Sequence, residues 1–110
     1  MYHNIFDSHA HYDDEQFNQD RNELLVSFKE NGISGVVCCG VDVKTSEFAV
    51  ELSHKYDFVY SAVGFHPLEN DEYTDEALER IKELAQDEKC VAIGEIGLDY
   101  HYEKESRENQ

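Results

Sequence analysis

Basic residues are scarce in this chain: nine Lys and Arg stand against 25 Asp and Glu, for a formal net charge of −16. That balance argues against a broad electrostatic grip on nucleic acid, which shows as a basic patch or stripe. A phosphate-bearing substrate fits only where something positive, such as metal ions, handles the phosphates locally. No apolar run approaches the roughly 18 residues that a membrane helix needs, so no membrane partner is expected. The opening residues, MYHNIFDS, carry neither the basic nor the apolar stretch of a secretory signal, and a cytoplasmic location is expected. Cysteine is sparse, and its pattern excludes two roles. Cys38, Cys39 and Cys90 are odd in number, lack CxxC spacing and sit in apolar runs. They read as small core hydrophobes in a reducing compartment rather than as a zinc site or a disulfide frame. No Pro/Gly/Ser-rich linker or low-complexity tract divides residues 1–110, which are expected to form one domain.

What is present is a regular alternation. The chain is 40% hydrophobic and 31% charged, a globular composition. Four short apolar runs, NIFDSHA (4–10), ISGVVCCG (33–40), FVYSAVGF (58–65) and CVAIGEIG (90–97), are rich in Val, Ile and Phe. Such runs suit strands buried on both faces. Between them lie helical patterns. Phe17, Leu24, Leu25 and Phe28 mark one in 15–31, with Gly32 as its stop. Phe48, Ala49, Leu52 and Tyr56 mark a second in 43–56, with Asp42 as a helix cap. Leu78, Ile81, Leu84 and Ala85 mark a third in 75–88, capped by Thr74 or Asp75. The acid-dense ENDEYTDE (69–76) reads as a solvated loop leading into that helix. The order β-α-β-α-β-α-β implies an α/β fold with a parallel sheet and right-handed crossovers. The strands recur about every 29 residues, so eight units would need about 230, close to the roughly 250 of a (β/α)8 barrel. The four strands are either a small open sheet or about half a barrel.

In parallel α/β architecture, function gathers at the C-terminal ends of strands. The first run ends in Asp7, His9 and His11, the third in GFHP with His66, and the fourth in GEIGLDY with Glu95, Asp99 and Tyr100. Side chains alternate along a strand, which predicts Asp7, His9 and His11 on one side and Glu95 on the side of Ile93. Two imidazoles on one side of a strand end can bind a divalent metal through ring nitrogens. A carboxylate on a buried strand is costly unless it is paired or metal-bound. Each group alone has an ordinary explanation: an HxH arising by chance, a salt-bridged Glu, a turn His before Pro67. Their convergence on one rim favours a metal site. His3 and His54 read as surface residues, and His101 is not counted as a ligand.

The blocks FDSHAHYDD, VGFHP and IGEIGLDYHY, in this order and at these spacings, resemble the TatD family of metal-dependent deoxyribonucleases, over the N-terminal half of a typical member. Tyr12 departs from the aliphatic residue or Phe that members more often carry. The resemblance implies the N-terminal half of a (β/α)8 TIM barrel in the metal-dependent hydrolase superfamily, with a two-metal site at the C-terminal rim. It implies that His9 and His11 bind the first metal and that Glu95 bridges both. It also implies that His66 lies near the substrate phosphate or a catalytic water, and that Asp99 and Tyr100 shape the substrate-binding rim. DNA is then the substrate, and Mg²⁺, Mn²⁺ or Zn²⁺ the cofactor. Two histidines and an aspartate that members supply from the second half have no counterpart here. A helix starting near ESRENQ has no strand after it. A truncated chain is therefore expected, inactive alone and prone to self-association through exposed half-barrel edges. Two other functions remain open: a metal hydrolase acting on a small ester or amide, and a catalytically silent assembly module.

Overall fold

Each of the four apolar runs forms a parallel strand; β-branched and small side chains bury most of the two central ones, while the two outer ones are largely exposed. The computed structural model describes residues 2–102 and 107–110, with backbone only over 70–72. The strands are β1 (Ile5–Ala10), β2 (Ile33–Cys39), β3 (Val59–Val63) and β4 (Cys90–Ile93). They lie in one sheet in the order β1-β2-β3-β4, every pairing parallel. A doubly wound sheet reverses its strand order at a switch point, whereas strictly sequential order is the winding of a barrel. The sheet is thus the arc of a half-barrel, with helices α1 (Arg21–Val26), α2 (Val43–Lys55) and α3 (Asp75–Ala85) alternating between the strands.

The helices cover one surface of this arc. Leu25 and Phe28, from α1 and the turn after it, meet Ala49 and Leu52 of α2 over Val36, Cys38 and Val59. Ile81 and Leu84 of α3 pack on Val63, with Cys90 and Phe65 at the margin. On the opposite surface a smaller cluster joins Val37, Cys39 and Ala62 with Tyr60. Phe6, Val91 and Ile93 remain more than half exposed. The three thiols are free, Cys38 and Cys39 buried and Cys90 partly so. Burial pushes the Cys38 thiol up to about 11 and raises Cys39 as well, which fits core hydrophobes rather than thiolate ligands.

Two helix starts form as their sequences dictate. Asp42 caps α2: its Oδ1 accepts the Thr45 N–H at 2.8 Å, and the Thr45 hydroxyl oxygen accepts the Asp42 N–H at 3.1 Å. This is a reciprocal capping box. Thr74 caps α3 by accepting the Ala77 N–H at 3.0 Å.

Several elements are shorter than expected, among them α3, which ends at Ala85 rather than residue 88. The first helical pattern becomes a 3₁₀ turn (Glu15–Phe17), the six-residue α1 and a series of turns to Asn31. The Ser27 hydroxyl bonds back to the Leu24 carbonyl at 2.6 Å, and the Asn31 side chain donates to the Ser27 carbonyl at 2.8 Å. These side-chain bonds compete with helix continuation. β4 stops at Ile93, so residues 94–97 are not strand. The ENDEYTDE segment enters through a 3₁₀ turn (Pro67–Glu72) before α3. Of the helix expected near ESRENQ (105–110), residues 105–106 lie outside the described residues, and Arg107–Asn109 form a turn.

Candidate metal centre

Four backbone hydrogen bonds lace the C-terminal ends of the strands together. Gly40, just after β2, donates to Ala62 of β3 at 2.9 Å, and His66 donates to Val41 at 2.8 Å. Past β4, Gly94 donates to Val63 at 2.9 Å, and Glu95 donates to the Gly40 carbonyl at 2.8 Å. The chain leaving β4 therefore crosses the end of β3 and reaches β2. Gly64 makes room for it: a Cβ there would lie 3.0 Å from the Glu95 carbonyl oxygen and 3.1 Å from the Gly94 carbonyl carbon. Strand alternation does not govern Glu95, because the strand has already ended. The crossing brings its carboxylate to His9 of β1 and His11 just past its end.

There the donors meet. His9 Nε2 is 3.0 Å from Glu95 Oε1, and His11 Nε2 is 3.4 Å from Glu95 Oε2. The two Nε2 atoms are 3.2 Å apart. One ligand atom from each of the three residues falls within 4.8 Å of the others. The side chains are 56%, 39% and 25% exposed in the order His9, His11, Glu95, so the cluster opens to solvent.

The tautomer of His11 follows from its surroundings. Its Nδ1 lies 3.0 Å from the Cys39 carbonyl oxygen, which can only accept. Nδ1 therefore carries the proton, and Nε2 turns a lone pair toward His9 and Glu95. Lone pairs and a carboxylate crowded this closely repel unless a proton or a cation lies among them. Mixed imidazole and carboxylate donors, one imidazole held by a backbone carbonyl behind it, suit a divalent metal ion.

Asp7 is not in the cluster. Its Oδ1 accepts the backbone N–H of His9 at 3.1 Å, and its Oδ2 accepts the Tyr12 hydroxyl at 3.4 Å. Tyr12 packs against Phe17 and Phe28, with ring centroids 5.4 Å away in each case. Burial, reinforced by the Asp7 charge, pushes its phenol up to about 12, so the hydroxyl stays a donor.

The other candidates stand apart from the three donors. His66 Nδ1 accepts the Leu68 N–H at 3.1 Å, which leaves Nε2 to carry the proton. Asp99 accepts the His101 N–H at 2.9 Å through Oδ1, and its backbone is held by the Gln110 side chain at 2.7 and 2.9 Å. Tyr100 is 45% exposed, with the Arg107 guanidinium 4.4 Å over its ring. His101 stacks edge-on with Tyr102 at 4.5 Å. His54 is on the surface, as read from sequence, and pairs there with Asp87. Sequence reading missed the parts of Asp7, Gly64 and the Cys39 carbonyl. An Asp two residues before His9 was the one legible signal among them.

Comparison with known proteins gives concordant results. The family model described as TatD related DNase matches residues 6–110. A Bacillus subtilis protein named metal-dependent hydrolase YabD is 42% identical over 106 residues, covering 96% of this chain and 42% of its own length. The Escherichia coli protein named 3'-5' ssDNA/RNA exonuclease TatD is 30% identical, covering 96% of this chain and 41% of its own. The crystal structure of YJJV, a TatD homolog from Escherichia coli, superposes with a TM-score of 0.83 at 26% identity, over 94% of this chain and 41% of that one. The chain spans about two fifths of the length of these relatives.

Proposed function

This chain belongs to the TatD-related DNase family, and from that premise we propose that its whole protein hydrolyses phosphodiester bonds of DNA with divalent metal ions. The observation that supports this most is the meeting of His9, His11 and Glu95, from two separate segments, within 4.8 Å. In this reading His9 and His11 would hold the first of two cations, and Glu95 would serve as a ligand to both. Bound there, a divalent cation supplies Lewis acidity toward a phosphoryl oxygen and lowers the pKa of water.

The chain's own residues prepare that chemistry. The Cys39 carbonyl keeps the His11 proton on Nδ1 and its Nε2 available as a ligand. Glu95 brings negative charge that offsets the cation. His66, protonated at Nε2, is a hydrogen-bond donor suited to a phosphate oxygen, and Asp99 and Tyr100 border the substrate path. Imported positive charge also reconciles an acidic protein with a polyanionic substrate. Phosphate contacts carry no base code, so cleavage is broad in sequence.

The test is hydrolysis of single-stranded DNA by a protein extended to the relatives' length, with Mg²⁺, Mn²⁺ or Zn²⁺. Single-stranded RNA and small esters run alongside. DNA cleavage that chelator abolishes and Glu95→Gln removes is expected. Turnover of the small ester alone would favour the second reading, to which the name of the Bacillus subtilis relative, a metal-dependent hydrolase, is equally suited. The 110 residues alone are expected to hold one cation and to turn over negligibly. They are also expected to self-associate, since among the described residues β1 and β4 each pair with a single strand. Light scattering that finds a monomer across the micromolar range would contradict this.

A further inference from the structure

The β1–β2 pairing is irregular at the point where the histidines leave the sheet. Asp7 pairs with Val36 and Ala10 with Cys38, so three steps along β1 match two along β2. The extra residue is a bulge, and bulges re-aim side chains at strand ends and near functional sites. It takes Ser8 and His9 out of regular register with β2. The His9 N–H is then caught by the Asp7 carboxylate at 3.1 Å. That carboxylate is tethered in turn by the Tyr12 hydroxyl, whose ring is wedged between Phe17 and Phe28.

We propose that Asp7 is a positioning residue: its carboxylate fixes the β1 bulge through the His9 N–H and so aims His9 Nε2 at His11 and Glu95, with the Tyr12 hydroxyl holding Asp7 in place. The relevance to metal binding rests on the proposed role of His9 as a ligand. The geometric claim stands on the metal-free chain. Without the carboxylate, the bulge has no acceptor for the His9 N–H, and the imidazole samples directions away from its partners. His11 is affected less, because the Cys39 carbonyl holds it independently.

Two measurements on this chain decide the matter. The first is the nuclear Overhauser effect between the His9 and His11 ring protons in the metal-free protein, whose ring centroids lie 5.1 Å apart. The second is calorimetric titration with Zn²⁺. Asp7→Ala is expected to lose the ring–ring effect and to weaken Zn²⁺ binding about tenfold or more, the range seen for groups that orient metal ligands. Asp7→Asn keeps an oxygen for the His9 N–H and is expected to retain the effect and to bind within about threefold of the original chain. A merely structural role would lower the melting temperature of Asp7→Ala and leave both readouts unchanged; that result overturns the proposal. Should Asp7→Ala fail to fold, Tyr12→Phe decides, because it keeps the packed ring and removes only the tether. A weakened ring–ring effect supports the proposal, and an unchanged one overturns it. If the unaltered chain binds no Zn²⁺, the expectation that these 110 residues hold one cation fails, while the ring–ring comparison still settles the part played by Asp7.

Discussion

The ammonium of Lys89, just before β4, lies 2.8 Å from the carbonyl oxygen of Tyr56, the C-cap of α2. It also donates to the Ser53 carbonyl and, at 3.2 Å, to that of Asp57. One cation thereby satisfies carbonyls left open at a helix end, where the helix dipole favours positive charge. It joins the far end of the sheet to the middle helix.

Replacing that cation should be felt throughout the fold. Lys89→Met keeps the aliphatic stem and removes three charged hydrogen bonds. A loss of about 2 kcal/mol is expected, from the usual worth of hydrogen bonds to charged groups. For a domain of this size that lowers the melting temperature by roughly 10 °C. Thermal unfolding followed by circular dichroism checks it, and a shift within error would assign the contacts no net worth.

Acid should weaken a neighbouring contact. Burial pushes the Asp87 carboxyl up, but hydrogen bonds from His54 and the Lys89 N–H, with the nearby positive charges, outweigh it and hold Asp87 below its ordinary value of 3.8. A carboxylate depressed in the folded state contributes stability that is fully present above its unfolded pKa. That contribution is lost as pH falls through the folded value. His54→Gln should therefore melt below the original chain at pH 6, and the gap should close as the pH drops below about 3.8. A gap that persists at pH 2 would assign the His54 effect to packing.

Gly40 admits no side chain. A Cβ there would sit 2.1 Å from Ser46 Oγ and within 2.8 Å of the Ser46 Cα and backbone nitrogen, which α2 cannot withdraw. Gly40→Ala is expected to destabilise by about 3 kcal/mol, the upper end for overpacking a tight contact. Because the Gly40 carbonyl anchors the Glu95 N–H, Zn²⁺ affinity should fall with it. Denaturant melts and calorimetry on one preparation read both effects.

The strands were legible because Val, Ile and Cys runs have few alternatives to a buried ribbon, and the caps at Asp42 and Thr74 were legible because their partners are local. The length of α1 was not. Phe17, Leu24, Leu25 and Phe28 keep the same inward spacing in a chain of turns as in one helix, and the side-chain bonds of Ser27 and Asn31 choose the turns. The involvement of His9, His11 and Glu95 could be read from residue type and position at strand ends, but the route that joins them could not. Alternation assumes that β4 continues, whereas Gly94 and Glu95 turn across the rim under backbone bonds to Val63 and Gly40. Those partners lie more than 30 residues away in sequence, where no local pattern reports them. Asp99 and Tyr100 were read as rim residues at the end of the fourth strand; they lie on the segment after β4, and their contacts are with Gln110 and Arg107.

The path of the chain over the end of β3 has a temporal consequence. During synthesis the two imidazoles emerge some 84 residues ahead of the carboxylate that completes their trio, and that carboxylate can take its seat only once β2 and β3 lie side by side beneath it. A cation captured jointly by all three would thus report that β1 to β4 have paired, and a nascent chain that has not yet reached Glu95 would hold such a cation less tightly.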